Sequence, residues 1–465
     1  MSTDLNDRIR TALDHHCAEA RISDADIADV LRRANSGRPD RRAGRLLPYL
    51  VAAAVVVLVL GAVIMPRLLP SPPRPAVAPA GTPALPNPIA GLSLLAGSVA
   101  ASPPGAAIAY YTAVPEADLG YEQPMILSAY GDRYRRLTQA DDRGCRGVDD
   151  GLPLLAGPAK ALLSPDGRRV AIGDSCAAHG DIEMVDLSTG QSRSFPLLKG
   201  RAVRAMAWSA SGRYLAYLIT PNEHEPLTGT YPNIVQTGKG ILGLLDVTTG
   251  STRQFPAYTQ VRAVAFRPDG REIAVQDGAT LRILAADGSQ LRTLPIARDH
   301  ELSDANAWSP DGSMLVTGPL SEPPTGLNPT QTFLVVDPSG LGRTVPKAVS
   351  QASNPYSPIL GWRSADSFLV RGPSGRDTRY PDDALAEVSL RTGKYRTLSI
   401  LDGGAHGVGA LQLASNLVPK MTIVPAGDPD RGPWPGWALT MSVVLVLLAC
   451  GCVLLVRRFG RRRAR

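Results

Sequence analysis

A six-residue phrase that returns along the chain restricts its fold more than any other feature. It reads Leu-Leu-Ser-Pro-Asp-Gly at 162–167, Ala-Trp-Ser-Ala-Ser-Gly at 207–212, Ala-Phe-Arg-Pro-Asp-Gly at 265–270 and Ala-Trp-Ser-Pro-Asp-Gly at 307–312. A worn copy, Gly-Trp-Arg-Ser-Ala-Asp-Ser, stands at 361–367. Each copy leads into a short apolar run: Val170–Ile172, Tyr214–Tyr217, Ile273–Val275, Met314–Val316 and Phe368–Val370. A second phrase follows each run. It ends in Asp-Leu-Ser-Thr-Gly190, Asp-Val-Thr-Thr-Gly250, Ala-Ala-Asp-Gly288, Asp-Pro-Ser-Gly340 and Leu-Arg-Thr-Gly393.

Both phrases are turn chemistry. Proline presets φ, aspartate bonds its own backbone two residues on, and glycine takes the left-handed position. Flanked by β-rich runs, each phrase closes a hairpin. Two hairpins in series make a four-stranded meander with strands a, b, c and d. The turn positions 167, 212, 270, 312 and 367 are spaced by 45, 58, 42 and 55 residues. Four strands per unit at this period mean a β-propeller, whose blades bury their faces on one another in a ring. An earlier, degenerate unit has Ala107–Tyr111 as strand b and Met125–Leu137 as a c–d hairpin. The expected blades are 92–140, 155–197, 201–257, 259–296, 303–346 and 357–400. Residues 405–424 keep strand character; they either close the ring on the first blade or begin a seventh. Six blades are expected, with seven as the alternative.

The phrases resemble those of the TolB-like six-bladed propellers, whose blades carry Ser-Pro-Asp-Gly, an apolar strand and a Val-Asp-x-x-Thr-Gly turn. The resemblance covers about residues 90–425. It implies an extracytoplasmic binding module that engages partners through one face or the central funnel. It specifies the fold more than the function, because propellers host many unrelated activities.

Residues outside the repeats set the topology expected of the chain. Leu46–Met65 and Trp437–Val456 each run twenty residues without a charge, long enough to cross a bilayer as a helix. Residues 1–45 carry nine basic and eight acidic side chains, and 457–465 carry six arginines and no acid. Basic clusters at Arg32–Arg45 and Arg457–Arg465 place both termini in the cytoplasm by the positive-inside rule. The reading is therefore a plasma-membrane protein: cytoplasmic arm 1–45, span 46–65, proline-rich linker 66–90, extracytoplasmic propeller 91–425, juxtamembrane linker 426–436, span 437–456 and basic tail 457–465. The net charge of +7 resides in the arm and tail. The segment between holds 34 basic and 34 acidic residues, which removes the case for nucleic-acid binding. The arm has helical spacing at Leu5, Ile9, Leu13 and at Ile27, Val30, Leu31. It resembles the arms of actinobacterial membrane proteins that accompany sigma factors, without the His-x-x-x-Cys-x-x-Cys zinc motif. That resemblance implies a possible cytoplasmic regulator as partner.

The meander sorts the loops by face. The a–b and c–d turns are tight and share one face; the b–c and d–a loops share the other. Every long insertion falls on the second face, at 114–124, 141–158, 173–181, 221–240, 320–331, 347–358 and 371–384. This loop-rich face is the candidate surface for a protein, peptide or glycan, with Tyr121, His179, Asn222, His224, Tyr231, Asn328, Tyr356, Arg376, Arg379 and Tyr380 upon it. Cys145 and Cys176 fall on the same face of neighbouring blades, where a disulfide is expected in an oxidising compartment. His300, Glu301 and Asp304 read as a solvated polar loop. No nucleophile elbow, metal-ligand spacing or phosphate loop is present, so no catalytic residue, metal or cofactor is expected. The function expected is non-catalytic binding, scaffolding or sensing. Two alternatives stand: a transmembrane regulator working through the arm, and an enzyme acting on the cell envelope.

Overall fold

The computed structural model describes residues 81–91, 93, 95–115, 122–144, 159–220, 240–319, 330–346, 348–352, 358–372, 384–401, 406–436 and 451. All but the last belong to one compact unit, Ser71–Gly436. Among the described residues no helix is long and apolar enough to cross a membrane. The spans expected at 46–65 and 437–456 lie outside them, apart from Gly451.

Six four-stranded antiparallel sheets make a six-bladed β-propeller. Blade 2 shows the plan: strand a Ala161–Leu163, b Arg169–Gly173, c Asp181–Asp186 and d Ser192–Pro196, paired in that order. Blade 3 has Val203–Trp208, Tyr214–Ile219, Ile241–Asp246 and Thr252–Phe255. Blade 4 has Val261–Phe266, Glu272–Asp277, Thr280–Ala285 and Gln290–Leu294. Blade 5 has His300–Leu302, Leu315–Pro319, Thr330–Val336 and Val349–Ala352. Blade 6 has Gly361–Ser364, Ser367–Gly372, Ala384–Ser389 and Tyr395–Ile400. Blade 1 takes strands b, c and d from Ala107–Pro115, Gln123–Ser128 and Tyr134–Arg136. Its strand a is His406–Leu413, from the far end of the domain. The strand character at 405–424 is thus a ring closure, and six blades suffice.

The turn phrases do what their residues dictate. In blade 2 the Asp166 carboxylate accepts from the Arg168 N–H at 3.1 Å and the Ser164 hydroxyl at 2.7 Å. In blade 5 Asp311 accepts from the Ser313 N–H at 3.1 Å and the Ser309 hydroxyl at 2.6 Å. The tryptophan of the phrase has a separate task. Trp208 Nε1 donates to Leu162 O, Trp308 Nε1 to Ala265 O and Trp362 Nε1 to Asn306 O, at 3.2, 3.1 and 2.8 Å. Each indole therefore fastens its blade to the innermost segment of the preceding blade. The cores lie between blades: Leu369 and Leu385 of blade 6 pack in one cluster with Tyr111, Met125 and Leu127 of blade 1.

Three boundaries differ from the sequence expectation. Residues 84–87 fall in the proline-rich stretch expected as linker, yet Ala84–Asn87 is a strand pairing in parallel with Thr422–Pro425. Leu85 and Ile89 are fully buried, and that burial makes a packed strand of an extended, proline-rich stretch. The stretch 426–436, expected as linker, packs on blade 1: Gly97 N–H donates to Arg431 O at 2.7 Å, and the Arg135 guanidinium meets the Asp430 carboxylate at 3.3 Å. Strand d of blade 5, Val349–Ala352, lies inside the loop expected at 347–358 and pairs with Thr330–Phe333. Its c–d connection is long, because Asp337 holds the Ser339 and Arg343 N–H groups in a wider loop.

Candidate functional site

The innermost strands carry charged residues at or beside their ends. Lys160 immediately precedes strand a of blade 2, and Arg204 is the second residue of strand a in blade 3. Asp304 follows strand a of blade 5, where that strand is interrupted before Trp308 resumes pairing with Leu315. At the interruption Asp304 is left-handed, with φ 64°, a conformation that aspartate tolerates better than most residues. The Asn306 side chain secures the segment to blade 6 by donating to Ile359 O and Leu360 O at 3.2 and 3.3 Å.

Lys160, Arg204 and Asp304 belong to different blades, and burial governs the charge state of each. Asp304 is exposed to solvent, while burial dominates its titration. Burial pushes the Asp304 carboxyl up, against the opposing pull of Arg204, the Ala305 N–H and Lys160. Burial pulls the Lys160 ammonium well below its usual range, and the Arg204 charge adds to that effect. Burial lowers Arg204 as well, with Asp304 opposing. Next along the ring, Arg262 Nη1 faces Glu301 Oε2 at 3.8 Å. The innermost strands start at the loop-rich face, so Lys160 and Arg204 lie toward that end of the ring.

After strand a of blade 1 the chain crosses the tight-turn face. Asn416 donates its backbone N–H to Pro165 O in blade 2 and its side-chain amide to Ala210 O in blade 3, both at 2.9 Å. It then returns to blade 6, where Arg363 donates to Met421 O at 2.5 Å and Val418 packs against Gly361. Residues 414–421 therefore cross the tight-turn face from blade 1, past the turns of blades 2 and 3, to blade 6.

Of the residues expected on that face, His179 is described and exposed. Its backbone N–H, with those of Cys176 and Gly180, is held by the buried Asp174 carboxylate, which organises the b–c loop of blade 2. Tyr121, Asn222, His224, Tyr231, Asn328, Tyr356, Arg376, Arg379 and Tyr380 lie outside the described residues. So does Cys145. Cys176 is disulfide-bonded, and its Sγ lies 3.9 Å from Arg143 O. The solvated loop expected at 300–304 is not one. His300 and Glu301 are buried in strand a of blade 5, with His300 Nδ1 2.9 Å from Asp299 Oδ1 and Nε2 3.1 Å from Thr332 O. The strand pairing with Leu315–Pro319 buries them. Among the described residues no group of three His, Cys, Asp or Glu is arranged to hold a metal.

The fold has solved counterparts. The chain is similar to TolB from Acinetobacter baumannii, at 14% identity over 66% of this chain and 67% of that one, with a TM-score of 0.42. It is similar also to an oligogalacturonate lyase from Vibrio parahaemolyticus, at 13% identity over 70% of this chain and 80% of that one, with a TM-score of 0.39. An oligogalacturonate lyase in complex with manganese matches at 16% identity over 60% of this chain and 71% of that one, with a TM-score of 0.39. No protein-family profile matches the sequence, and no curated protein matches it. The charged residues of the innermost strands carry no motif, but aligning the repeats exposes three of them. Arg204, Arg262 and Asp304 each stand five residues before the Ser or Arg of the turn phrase, followed by Ala-x-Ala.

Proposed function

We propose that this chain is a membrane-anchored extracytoplasmic propeller that binds, scaffolds or senses a partner through its loop-rich face, without catalysis. One observation carries the reading. The two ends of the propeller are held side by side at blade 1, through the pairing of Ala84–Asn87 with Thr422–Pro425. In sequence, uncharged stretches of twenty residues at 46–65 and 437–456 bracket these paired ends, each long enough for one span. The partner is a protein, peptide or glycan, and residues 1–45 offer a cytoplasmic regulator a place to dock. We assign Cys145 as the partner of Cys176, because Sγ of Cys176 lies beside Arg143, two residues from Cys145. Arg143 itself pairs with Asp181 and Glu183 of blade 2, so the bond would reinforce a junction already made.

The test is a crosslinking pull-down from intact cells with full-length protein and with a version lacking residues 2–40. Envelope partners recovered equally by both support a scaffold. Loss of a cytoplasmic regulator on truncation favours the transmembrane-regulator reading. Recovery of cytoplasmic partners alone, on the propeller itself, would overturn the extracytoplasmic assignment.

A further inference from the structure

The last described stretch before residue 437 is docked along the outer edge of blade 1. Gly427 N–H donates to Asp132 Oδ2 at 3.0 Å, Asp430 N–H to Asp132 O at 2.8 Å, and Tyr134 N–H to Asp430 O at 2.8 Å. Arg135 donates to both carboxylate oxygens of Asp430 at 3.3 Å, and Arg431 donates to Gly91 O at 3.2 Å. Pro433 lies so close to Gly97 that a Cβ on Gly97 would stand 2.6 Å from its carbonyl oxygen. Beyond that contact, Trp434, Pro435 and Gly436 are all that precede the uncharged stretch 437–456. From Pro433 to residue 437 the chain reaches at most about 14 Å. The same edge shows apolar side chains to solvent: Leu95 is 39% exposed and Trp434 40%. Leu95 stands in a turn closed by the Ala96 N–H on Ser93 O at 3.2 Å, and Ala96 beside it is fully buried. Leu95 is two residues from Gly97 and Trp434 one residue from Pro433, so both flank the Gly97–Pro433 contact.

We infer that this edge of blade 1 is a lipid-contacting surface that rests in the headgroup layer of the bilayer, with Leu95 and Trp434 as its apolar contacts. The inference rests on the reading of 437–456 as a span. A span that starts at Trp437 has its first residue at the hydrocarbon boundary. The headgroup layer is roughly 5–8 Å deep, so the docked Pro433 stands beyond it by at most about 9 Å. A folded edge tied that closely meets the bilayer surface. Tryptophan suits the place, because its ring is apolar and its N–H polar. Acid and base are mixed along the edge, with Asp428 and Asp430 beside Arg431 and Arg133, so no one headgroup charge is selected. The short C-terminal attachment, and not the proline-rich stretch, then sets how far the ring stands from the bilayer.

The experiment places full-length protein in liposomes of phosphatidylcholine and phosphatidylglycerol in equal parts, with a trace of phosphatidylcholine that carries a diazirine near the glycerol end of one acyl chain. After illumination, adducts are located residue by residue by tandem mass spectrometry. Leu95 and Trp434 are expected to be labelled severalfold more than Leu291 and Leu341 of blades 4 and 5, although those leucines are more exposed, at 50% and 78%. Leu95→Ser combined with Trp434→Ser changes only surface side chains. It should lower the adducts at 93–98 and 430–436 severalfold and leave 437–456 labelled as before. Labelling of 437–456 with Leu95 and Trp434 no higher than Leu291 and Leu341 would overturn the inference and leave the span standing. Absence of label from 437–456 would remove the span, and the inference with it. A pattern that vanishes in liposomes of phosphatidylcholine alone would show that headgroup charge makes the contact in place of the apolar pair, and would overturn the inference too.

Discussion

Identical residues in the repeated phrase carry unequal burdens. Gly167 and Gly270 both end a Pro-Asp-Gly turn, with φ 70° and 72°. A Cβ on Gly270 would meet nothing within 4 Å, whereas one on Gly167 would lie 2.0 Å from the backbone carbonyl of Ala107. Gly167 O also accepts the Ala107 N–H at 2.7 Å, so this turn is a seam between blades 2 and 1. Gly270→Ala should cost the left-handed penalty alone, about 1–2 kcal/mol. Gly167→Ala must also displace backbone and should cost roughly 3 kcal/mol or more. Urea unfolding of the full-length protein measures the difference; equal losses would show that the blade 1–2 seam yields freely. The tryptophans show the same inequality. Phe266 occupies the place of Trp308 one blade earlier, and lacks the N–H that the indoles donate across the ring.

Strands and turns were legible wherever the chain obeys local rules. The Ser-Pro-Asp-Gly phrases locate the a–b hairpins because proline, aspartate and glycine act within a few residues. Strand d of blade 5 was not legible, since a dozen residues separate the end of strand c at Val336 from its start at Val349. Nor was the strand at Ala84–Asn87, whose prolines point to a linker and whose pairing partner lies more than three hundred residues away. Lys160, Arg204 and Asp304 are unremarkable in sequence because only ring closure brings their blades together. That closure depends on His406–Leu413 joining Ala107–Pro115. Leu411 is buried there, and Leu281 is buried in strand c of blade 4. Leu411→Ala and Leu281→Ala should each cost about 2–5 kcal/mol. Their proteolysis should differ. Leu411→Ala opens the ring at its seam, so limited trypsin digestion should cut first within 394–436, while Leu281→Ala should digest without that preference. Identical fragment patterns by mass spectrometry would mean that the C-terminal strand is no weaker than any other.

Across the whole propeller, the carboxylates predict how the ring responds to acid. Many are held low. The Arg213 guanidinium brings Asp246 down to about 2, and the Ser339 hydroxyl with the Arg343 N–H brings Asp337 to about 2. The Ser289 hydroxyl lowers Asp287, and the Ser364 hydroxyl with Arg391 lowers Asp366. Burial works against Asp181, Glu387 and Asp430, yet Arg143 with Ser194, Arg396 with Ser367, and the Gly432 N–H with Arg135 still hold each below its usual range. Such groups add stability at pH values above about 4, where the unfolded chain's carboxylates ionise, and lose it as pH falls through their lower folded values toward about 2. A smaller set acts in reverse. Burial raises Glu122, Asp132 and Asp304, so they favour the folded state as pH falls from neutrality through their raised values. The two sets meet near pH 4. Between neutrality and that point the raised group adds stability and the lowered group has lost little; below it the lowered group, spread over every blade from 2 to 6, is lost together. The urea midpoint of the full-length protein should therefore hold or rise slightly from pH 7 to about 5 and collapse between about 4 and 2. A midpoint already falling between pH 7 and 5 would show that these turn carboxylates do not govern the stability of the ring.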